Sequence, residues 1–578
     1  MNGQAPYMLR GDQAYHTYDR LEIMRWCDTT LVNGINNYDR KELVNFLRSN
    51  TINDQMSPKD RYDLRHIFAD NIEFLAATLP ISTDKMDSSE VVFRSSRYNS
   101  LPTDVKDDQV AAYVTAPVLK YFYKTKANFL TLETPSFKAY INPVLQLTYL
   151  DEANSERIVF QNTRGIDIRA YIDDKVYIYT QFLENQRSYM IFVEDRIQKF
   201  GTIPGQGFWK SYESTIIGNL QGYDFFNARA YIGFNPVKSI NVEFGHGNHF
   251  IGNGVRSLLL SDYSHNYLYL KLNTRIWKFQ YQNLFAELAP TSTLLNPGDQ
   301  LLPKKYTATH YLAFKPNTTF EVGLFETVIF SRVNHFEFQY LNPVILYRAV
   351  EHFLDSPDNV ILGLNLKWNP IKGISLYGQF VMDEFKLSEV KKQSGWWANK
   401  FGGQIGLKYI NAFGIDHLDL QVEYNAVRPY TYAHRDTLPS LPNVSVANYS
   451  HSNQPLAHPL GANFKELLII GRYKPHDKWY LQCRALMTTY GDDRVGENWG
   501  GNILLPLETR EMDFDNVIGQ GRKIDIAAIN LDVSYEVFHN YFIDLQGMWR
   551  QSKSDDTQSQ HYLGGGFRIN ISNITYDY

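Results

Sequence analysis

HLDLQVEYNAV, His417 to Val427, puts Leu418, Leu420, Val422 and Tyr424 on one face of an extended chain and Asp419, Gln421, Glu423 and Asn425 on the other. A period of two that separates oil from charge predicts a strand with one greasy and one wet side. The sorting recurs in Leu268, Leu270 and Leu272 against Tyr269, Lys271 and Asn273, and in Leu362 to Trp368 against Gly363, Asn365 and Lys367. It appears again in Ile529, Leu531, Val533 and Tyr535 against Asn530, Asp532, Ser534 and Glu536. From Phe137 to Tyr578 about eighteen such segments can be marked, each roughly ten to fifteen residues long.

The connections carry as much information as the strands. Short turns (NPVK, PNTT, WNPIKG, NAFGID, KPHD and FHN) alternate with long polar loops at about 187–222, 248–263, 290–305, 333–358, 387–396, 429–461 and 492–522. Hairpins at one end and long loops at the other are the pattern of a transmembrane barrel, whose closure leaves no edge amide unpaired in lipid. A soluble antiparallel sandwich would alternate in the same way, but its strands average about half this length. Trp277, Tyr281, Trp368, Tyr377, Trp479, Tyr480, Tyr541 and Trp549 near strand ends are expected to form interfacial girdles, and ITYDY to close an aromatic-ended last strand.

Residues 1–130 differ from the rest. YDRKELVNFLRS (Tyr38–Ser49) and SPKDRYDLRHIFADNIEFLAAT (Ser57–Thr78) carry apolar residues at helical spacing, with Ser57 and Pro58 as a start signal. They predict two helices, preceded by a short extended stretch around Leu21–Met24. The fold class expected is therefore an all-β transmembrane barrel of about 18 antiparallel strands over 131–578, with a small α-helical periplasmic unit over 1–130 that caps or fills one end.

Composition narrows the function. A formal charge of −5 on 578 residues without a basic block argues against a nucleic-acid partner. Cys27 and Cys483 cannot build a disulfide framework and are expected to be free thiols. No apolar run is long enough for a transmembrane helix, and MNGQAPY lacks the apolar core of a signal peptide, as in a cytoplasmic chain or one whose signal has been removed. Aromatics at 15%, with 40 Tyr and 35 Phe, point to strands and interfaces. On the expected lumen face Lys271, Lys367, Arg484, Arg550 and Arg568 oppose Glu243, Asp419, Glu423, Asp532, Glu536 and Asp544. Such a mixed lining suits internal salt bridges or a wet, plugged interior better than a pore selective for one sign of ion.

Three chemistries compete in the loops. FGHGNHFIGNGVRSLLLSDYSHNYLYLKLNT (Phe244–Thr274) could gather His246, His249, His265 and Asp262 around a metal ion, yet an extended chain sends His246 and His249 to opposite faces. Ser264 beside His265, or Ser261 with Asp262, has the residue types of a nucleophile and base, but no elbow frames either serine. The histidines are expected to brace loops; no catalytic residue, metal or other cofactor is assigned. Recognition fits best: Tyr430, Tyr432, Tyr449, Trp209, Trp396, Trp397 and Trp499, with Arg435, offer flat faces and hydrogen-bonding groups of the kind that suit sugar rings. The alternative is that these aromatics pack the loops against each other.

The N-terminal AYHTYDRLEIM, FYKTKANFL, INPVLQL, NTRGIDIRAYIDDKVYIY, FGHGNHFIGNGVRSLLLSDYSHNYLYLKL and QPLAHPLGANFKE together resemble the Wzi-type capsule-assembly proteins, and within them the gliding-motility barrel proteins (RemB-like). The resemblance implies an outer-membrane barrel of eighteen strands with extracellular loops and a periplasmic helical unit. It implies a surface lectin for capsular polysaccharide rather than an enzyme, with outer-membrane lipid and surface polysaccharide as partners. An accessory of a gliding or secretion machine, with protein partners, and a diffusion channel are the alternatives.

Overall fold

The computed structural model describes residues 5–27, 31–35, 38–50, 56–76, 127–153, 157–214, 220–292, 303–332, 337–344, 347, 350, 358–435, 437–438 and 441–578. Its centre is a closed antiparallel barrel of 18 strands. In chain order these are β1 (Phe137–Glu152), β2 (Ile158–Ile172), β3 (Val176–Arg187), β4 (Leu220–Val237), β5 (Ile240–Gly247) and β6 (Tyr267–Ile276). Then come β7 (Phe279–Leu288), β8 (Lys305–Phe314), β9 (Phe320–Phe330), β10 (Asn359–Trp368), β11 (Ile374–Glu384) and β12 (Lys400–Tyr409). The last six are β13 (Leu418–Val427), β14 (Phe464–Tyr473), β15 (Trp479–Asp492), β16 (Arg522–Phe538), β17 (Tyr541–Lys553) and β18 (Thr557–Ile569). Each pairs with its neighbour in sequence, and β1 meets β18 from Leu145↔Ile569 to Glu152↔Tyr562, which closes the ring.

The period of two sorts side chains as the sequence predicts. Leu147, Phe182, Phe226, Phe244, Leu324, Ile405, Leu531 and Leu563 point outward and are exposed, an apolar wall suited to hydrocarbon. Asp419, Glu423, Glu243, Lys271, Asn365 and Lys367 point inward and are buried. Trp277, Trp368 and Trp479 are exposed at the short-turn end, while Trp549 and Tyr541 are partly covered. Two expected girdle residues are not there: Tyr377 turns into the lumen and donates to Glu423 at 2.8 Å, and Tyr480 turns in beside Glu536 at 3.4 Å. Their strand positions share parity with the charged residues, which outweighs their nearness to a strand end. The alternation of short and long connections also breaks twice, because β1–β2 and β17–β18 are joined at the long-loop end by only 153–157 and 554–556.

Many tyrosines line the interior. Tyr177 lies against Gly233, Tyr311 against Gly323 and Tyr377 against Gly406, and a Cβ on each glycine would come within 2.1 to 2.2 Å of the ring or its hydroxyl. A missing side chain on one strand thus receives a long one from its neighbour, which spans a wide lumen while its hydroxyl stays hydrogen-bonded.

The lumen is filled from the short-turn end by helices. α1 (Gln13–Ile23) stands where an extended stretch at Leu21–Met24 was expected. Asp12 caps it, and Ala14, Tyr18 and Leu21 form its buried stripe, a pattern masked in sequence by the polar residues between them. α2 (Arg40–Asn50) follows, and α3 (Pro58–Asp70) begins with the expected Ser57 cap, completed as a capping box by Asp60. The helix predicted over Ser57–Thr78 breaks at Asn71 and resumes as α4 (Ile72–Ala76); Ala77 and Thr78, like the start of FYKTKANFL and the approach to the expected boundary at residue 130, lie outside the described residues.

Ion pairs hold these helices to the wall. Arg20, 1% exposed, donates through Nη1 to both oxygens of Asp419 at 2.6 Å and through Nη2 to Asp60 at 2.9 Å. Glu22 accepts from Lys315 at 2.7 Å and Lys367 at 2.5 Å, and the carboxylate of Glu321 receives the backbone N–H groups of Asn33 and Gly34. Lys474 pairs with Asp63. Lys271 with Glu243, at 2.6 Å, and Arg568 with Asp544, at 2.8 Å, neutralise the wall itself.

Two further segments enter the lumen, each differing from expectation. The β5–β6 connection, expected as an extracellular loop, folds inward: Ile251 bridges Ile35, and the N–H groups of Val255 and Arg256 donate to Glu423. The ITYDY end is not strand. β18 stops at Ile569, the chain reverses at Asn570 (φ 52°), and Asp577 reaches Arg256 at 2.8 Å and Arg484 at 2.6 Å. Unpaired, Arg256 and Arg484 would be costly inside the barrel, and the tail supplies their carboxylate. Described residues of the β9–β10 connection lie against the outer wall instead: Pro343 O accepts from Tyr281 and Asn283, and Tyr347 covers His310 with ring centroids 4.0 Å apart. They shield His310 and Glu326, polar residues on an otherwise apolar face.

Replacing Arg20 by Ala leaves Asp60 and Asp419 buried without their guanidinium, a loss of about 3–5 kcal/mol. Urea release of the helical unit, followed by protease cleavage of residues 5–76 while the barrel persists, is expected at a lower midpoint; an unchanged midpoint would show that Arg20 does not hold the unit.

Candidate ligand-binding surface

At the long-loop end the β11–β12, β13–β14 and β15–β16 connections are knitted into one surface. The first carries the short helix α5 (Leu387–Lys391), and its Gly395 and Trp397 join the third loop through Asn516 N–H to Gly395 O at 3.0 Å and Trp397 N–H to Asp513 O at 2.9 Å. Arg428, at the root of the second loop, donates to Asn399 O at 2.8 Å and so anchors the first. Tyr430 N–H donates to Gly500 O at 3.0 Å, joining the second loop to the third.

Trp396 and Trp397 stand half-buried on this surface with ring centroids 6.1 Å apart and planes at 60°. Lys386 lies 5.1 Å from the Trp396 ring and Arg510 lies 4.4 Å from that of Trp397. Two aromatic faces fringed by cations can take the C–H face of a sugar ring and the hydroxyls or carboxylates at its edge. Arg510 and Lys386 were not singled out from sequence, because surface cations are common and only loop packing brings these two to the indoles. Arg435 is exposed on the second loop. Trp499 is half-buried, its Nε1 donating to Glu497 at 2.8 Å and its ring filling the space over Gly521. Trp209 belongs to the β3–β4 connection and packs edge-on to Tyr223 at 4.7 Å.

The three tyrosines occupy a different environment. Tyr430, Tyr432 and Tyr449 are 1%, 0% and 1% exposed, so they present no face to a ligand in this structure. Tyr432 and Tyr449 stack at 5.7 Å, and their hydroxyls donate to Leu258 O and Leu259 O, both at 2.7 Å. Tyr430 donates to Asn498 O at 3.0 Å. Tyr432 and Tyr449 pin the second loop to the inward-folded β5–β6 connection, and Tyr430 ties it to the third loop. Positive φ at Tyr430 (65°) and Tyr432 (71°) marks the tight path that turns them inward.

The histidines do not converge. His246 faces outward, His249 is buried edge-on to Tyr269 at 4.3 Å, and His265 packs against His451 at 3.9 Å and bonds Ser452. Burial, reinforced by His246, holds His265 down at about 4, so it is neutral and fit for packing near neutral pH. Ser261 donates to Ala457 O, the Ser264 hydroxyl has no hydrogen-bond partner, and His265 bonds Ser452 instead, so neither serine is paired with a base.

No protein-family model and no curated protein matches the chain. Among solved structures it is similar to Wzi of Escherichia coli, described as an outer membrane protein involved in group 1 capsule assembly and a carbohydrate-binding β-barrel. That likeness has a TM-score of 0.56 and covers 99% of this chain and 100% of that one at 13% identity. Looser likenesses, both at 9% identity over 75% of this chain, are to Pseudomonas aeruginosa OprD (TM-score 0.40, 95% of that chain) and OccK8 (TM-score 0.39, 98% of that chain). The Wzi-type barrel fold is shared.

Replacing Tyr432 and Tyr449 together by Phe removes two buried hydrogen bonds at about 1 kcal/mol each, whereas replacing both by Ala opens a cavity costing about 3–5 kcal/mol per site. New protease cuts within 248–266 are expected in the Ala pair and few in the Phe pair. Full resistance of the Ala pair would mean that other contacts hold the inward loop.

Proposed function

We propose that this chain is a non-enzymatic outer-membrane barrel that holds or organises surface polysaccharide, with its long loops outside the cell and its helical unit in the periplasm. The observation that carries the reading is the Trp396–Trp397 pair beside Lys386 and Arg510, set on a surface braced from beneath by the buried Tyr430, Tyr432 and Tyr449. A rigid base keeps the cost of ordering low when a sugar stacks on the indoles. Wzi, described as carbohydrate-binding, has the same fold, which supports the choice of ligand class. The filled lumen supports a binding role over a diffusion channel, since helices, inward loop and tail occupy the space through which solute would pass.

Binding of extracted surface polysaccharide to the detergent-solubilised protein, followed by tryptophan fluorescence or calorimetry, is expected to weaken roughly tenfold or more when Trp396 and Trp397 are both replaced by Ala. Equal affinity in the double variant would remove these indoles from the reading, and recovery of stable protein partners with no glycan would favour a machine accessory. Planar bilayers containing the intact protein are expected to show no stepwise conductance; open steps would establish a channel.

A further inference from the structure

The carboxylates along the seam between helices and wall have several kinds of partner. Asp19 meets Lys367 and Lys408, Glu22 meets Lys315 and Lys367, Asp60 and Asp419 meet Arg20, and Asp63 meets Lys474. Asp70 and Glu536 have imidazoles instead. Among the described residues no lysine or arginine lies within 4.0 Å of either carboxylate.

His66 Nε2 is 2.9 Å from Glu536 and its Nδ1 is 3.3 Å from Asp70, while His539 Nε2 is 2.7 Å from Asp70. One ligand atom from each of His66, Glu536 and His539 can be chosen so that all lie within 4.8 Å of one another. The side chains of Glu536 and His539 are 1% and 3% exposed, and those of His66 and Asp70 are 10% and 18% exposed. The spacing is built in: His66 and Asp70 are one turn apart on α3, while Glu536 lies near the end of β16 and His539 in the turn that follows it. Neutral imidazoles would leave the charges of buried Glu536 and partly buried Asp70 uncompensated, and a divalent cation offsets both.

We propose that His66, His539 and Glu536 form a binding site for a divalent transition-metal ion of the zinc class, which staples α3 to the β16–β17 turn, with Asp70 beside it against the two imidazoles. Two imidazoles and a carboxylate are a donor set that suits zinc. The rings of His66 and His539 are stacked with centroids 4.0 Å apart, so one turns about its Cβ bonds to bring its nitrogen to the ion. Tyr62, donating to Glu536 at 2.9 Å, and Asn540, donating to Asp70 at 2.9 Å, would orient the two carboxylates as outer partners. The site is independent of the glycan reading and lies at the opposite end of the barrel.

The test uses the intact protein in detergent, stripped with a chelator and titrated with zinc chloride by calorimetry, with bound metal counted by elemental analysis. One equivalent is expected to bind at pH 7.5 and to slow protease cleavage between α3 and the barrel. Replacing His66 and His539 together by Ala is expected to weaken binding by at least roughly a hundredfold, while replacing His539 alone by Gln leaves the barrel folded, as read by its heat-modifiable gel mobility, yet weakens zinc binding. Absence of stoichiometric zinc in the folded wild-type protein, or unchanged binding in either folded variant, would overturn the proposal and leave a proton-compensated cluster.

Discussion

In hydrocarbon each backbone amide and carbonyl must find its partner within the protein, and the rest of this structure depends on that constraint. The seam between β1 and β18 meets it by returning the last strand to the first, so no edge remains. Eighteen strands make a lumen wider than side chains from the wall can fill. The tyrosines that lie over glycines of neighbouring strands narrow it, and helices, one loop and the C-terminal tail occupy the remainder.

Filling a polar lumen raises an electrostatic demand. Charged residues on the inner wall lose water when the helices enter, and each must then be met across the seam. Arg20 between Asp60 and Asp419, and Arg256 between Glu466 and Asp577, show how a bidentate cation ties separate segments together. Such pairs add little net stability over a well-packed apolar contact, but a shifted helix would strand several of them at once. They therefore select one seating of the helices. At the other end, buried tyrosines turn three loops into a rigid base on which the two indoles stand.

Residues with a clear periodic role were readable in the sequence. Leu418 to Asn425 announced both faces of β13, the short turns appeared where hairpins formed, and the Ser57 cap located α3. His246 and His249 are separated as an extended chain would have them, although β5 ends at Gly247 before His249. Long segments without periodicity were harder. Tyr432 and Tyr449 read as ligand contacts because aromatic, hydrogen-bonding loops look alike whether they face solvent or a plug. Arg510 was invisible as a partner of Trp397 because it lies on a different loop, and Lys386 reaches Trp396 only through the fold of the loop they share.

The sequence by itself determined that this chain closes into a barrel with an oily outside and a charged inside, because a period of two sustained over long strands allows few other arrangements. It also determined that helices precede the barrel, because capping and apolar spacing are local. Only the tertiary structure decided which segments enter the lumen, that the tail and the β5–β6 loop turn inward, and that one connection covers the outer wall. Those choices rest on pairing buried charges and hydroxyls between residues hundreds of positions apart, and such pairing leaves no local pattern in the chain.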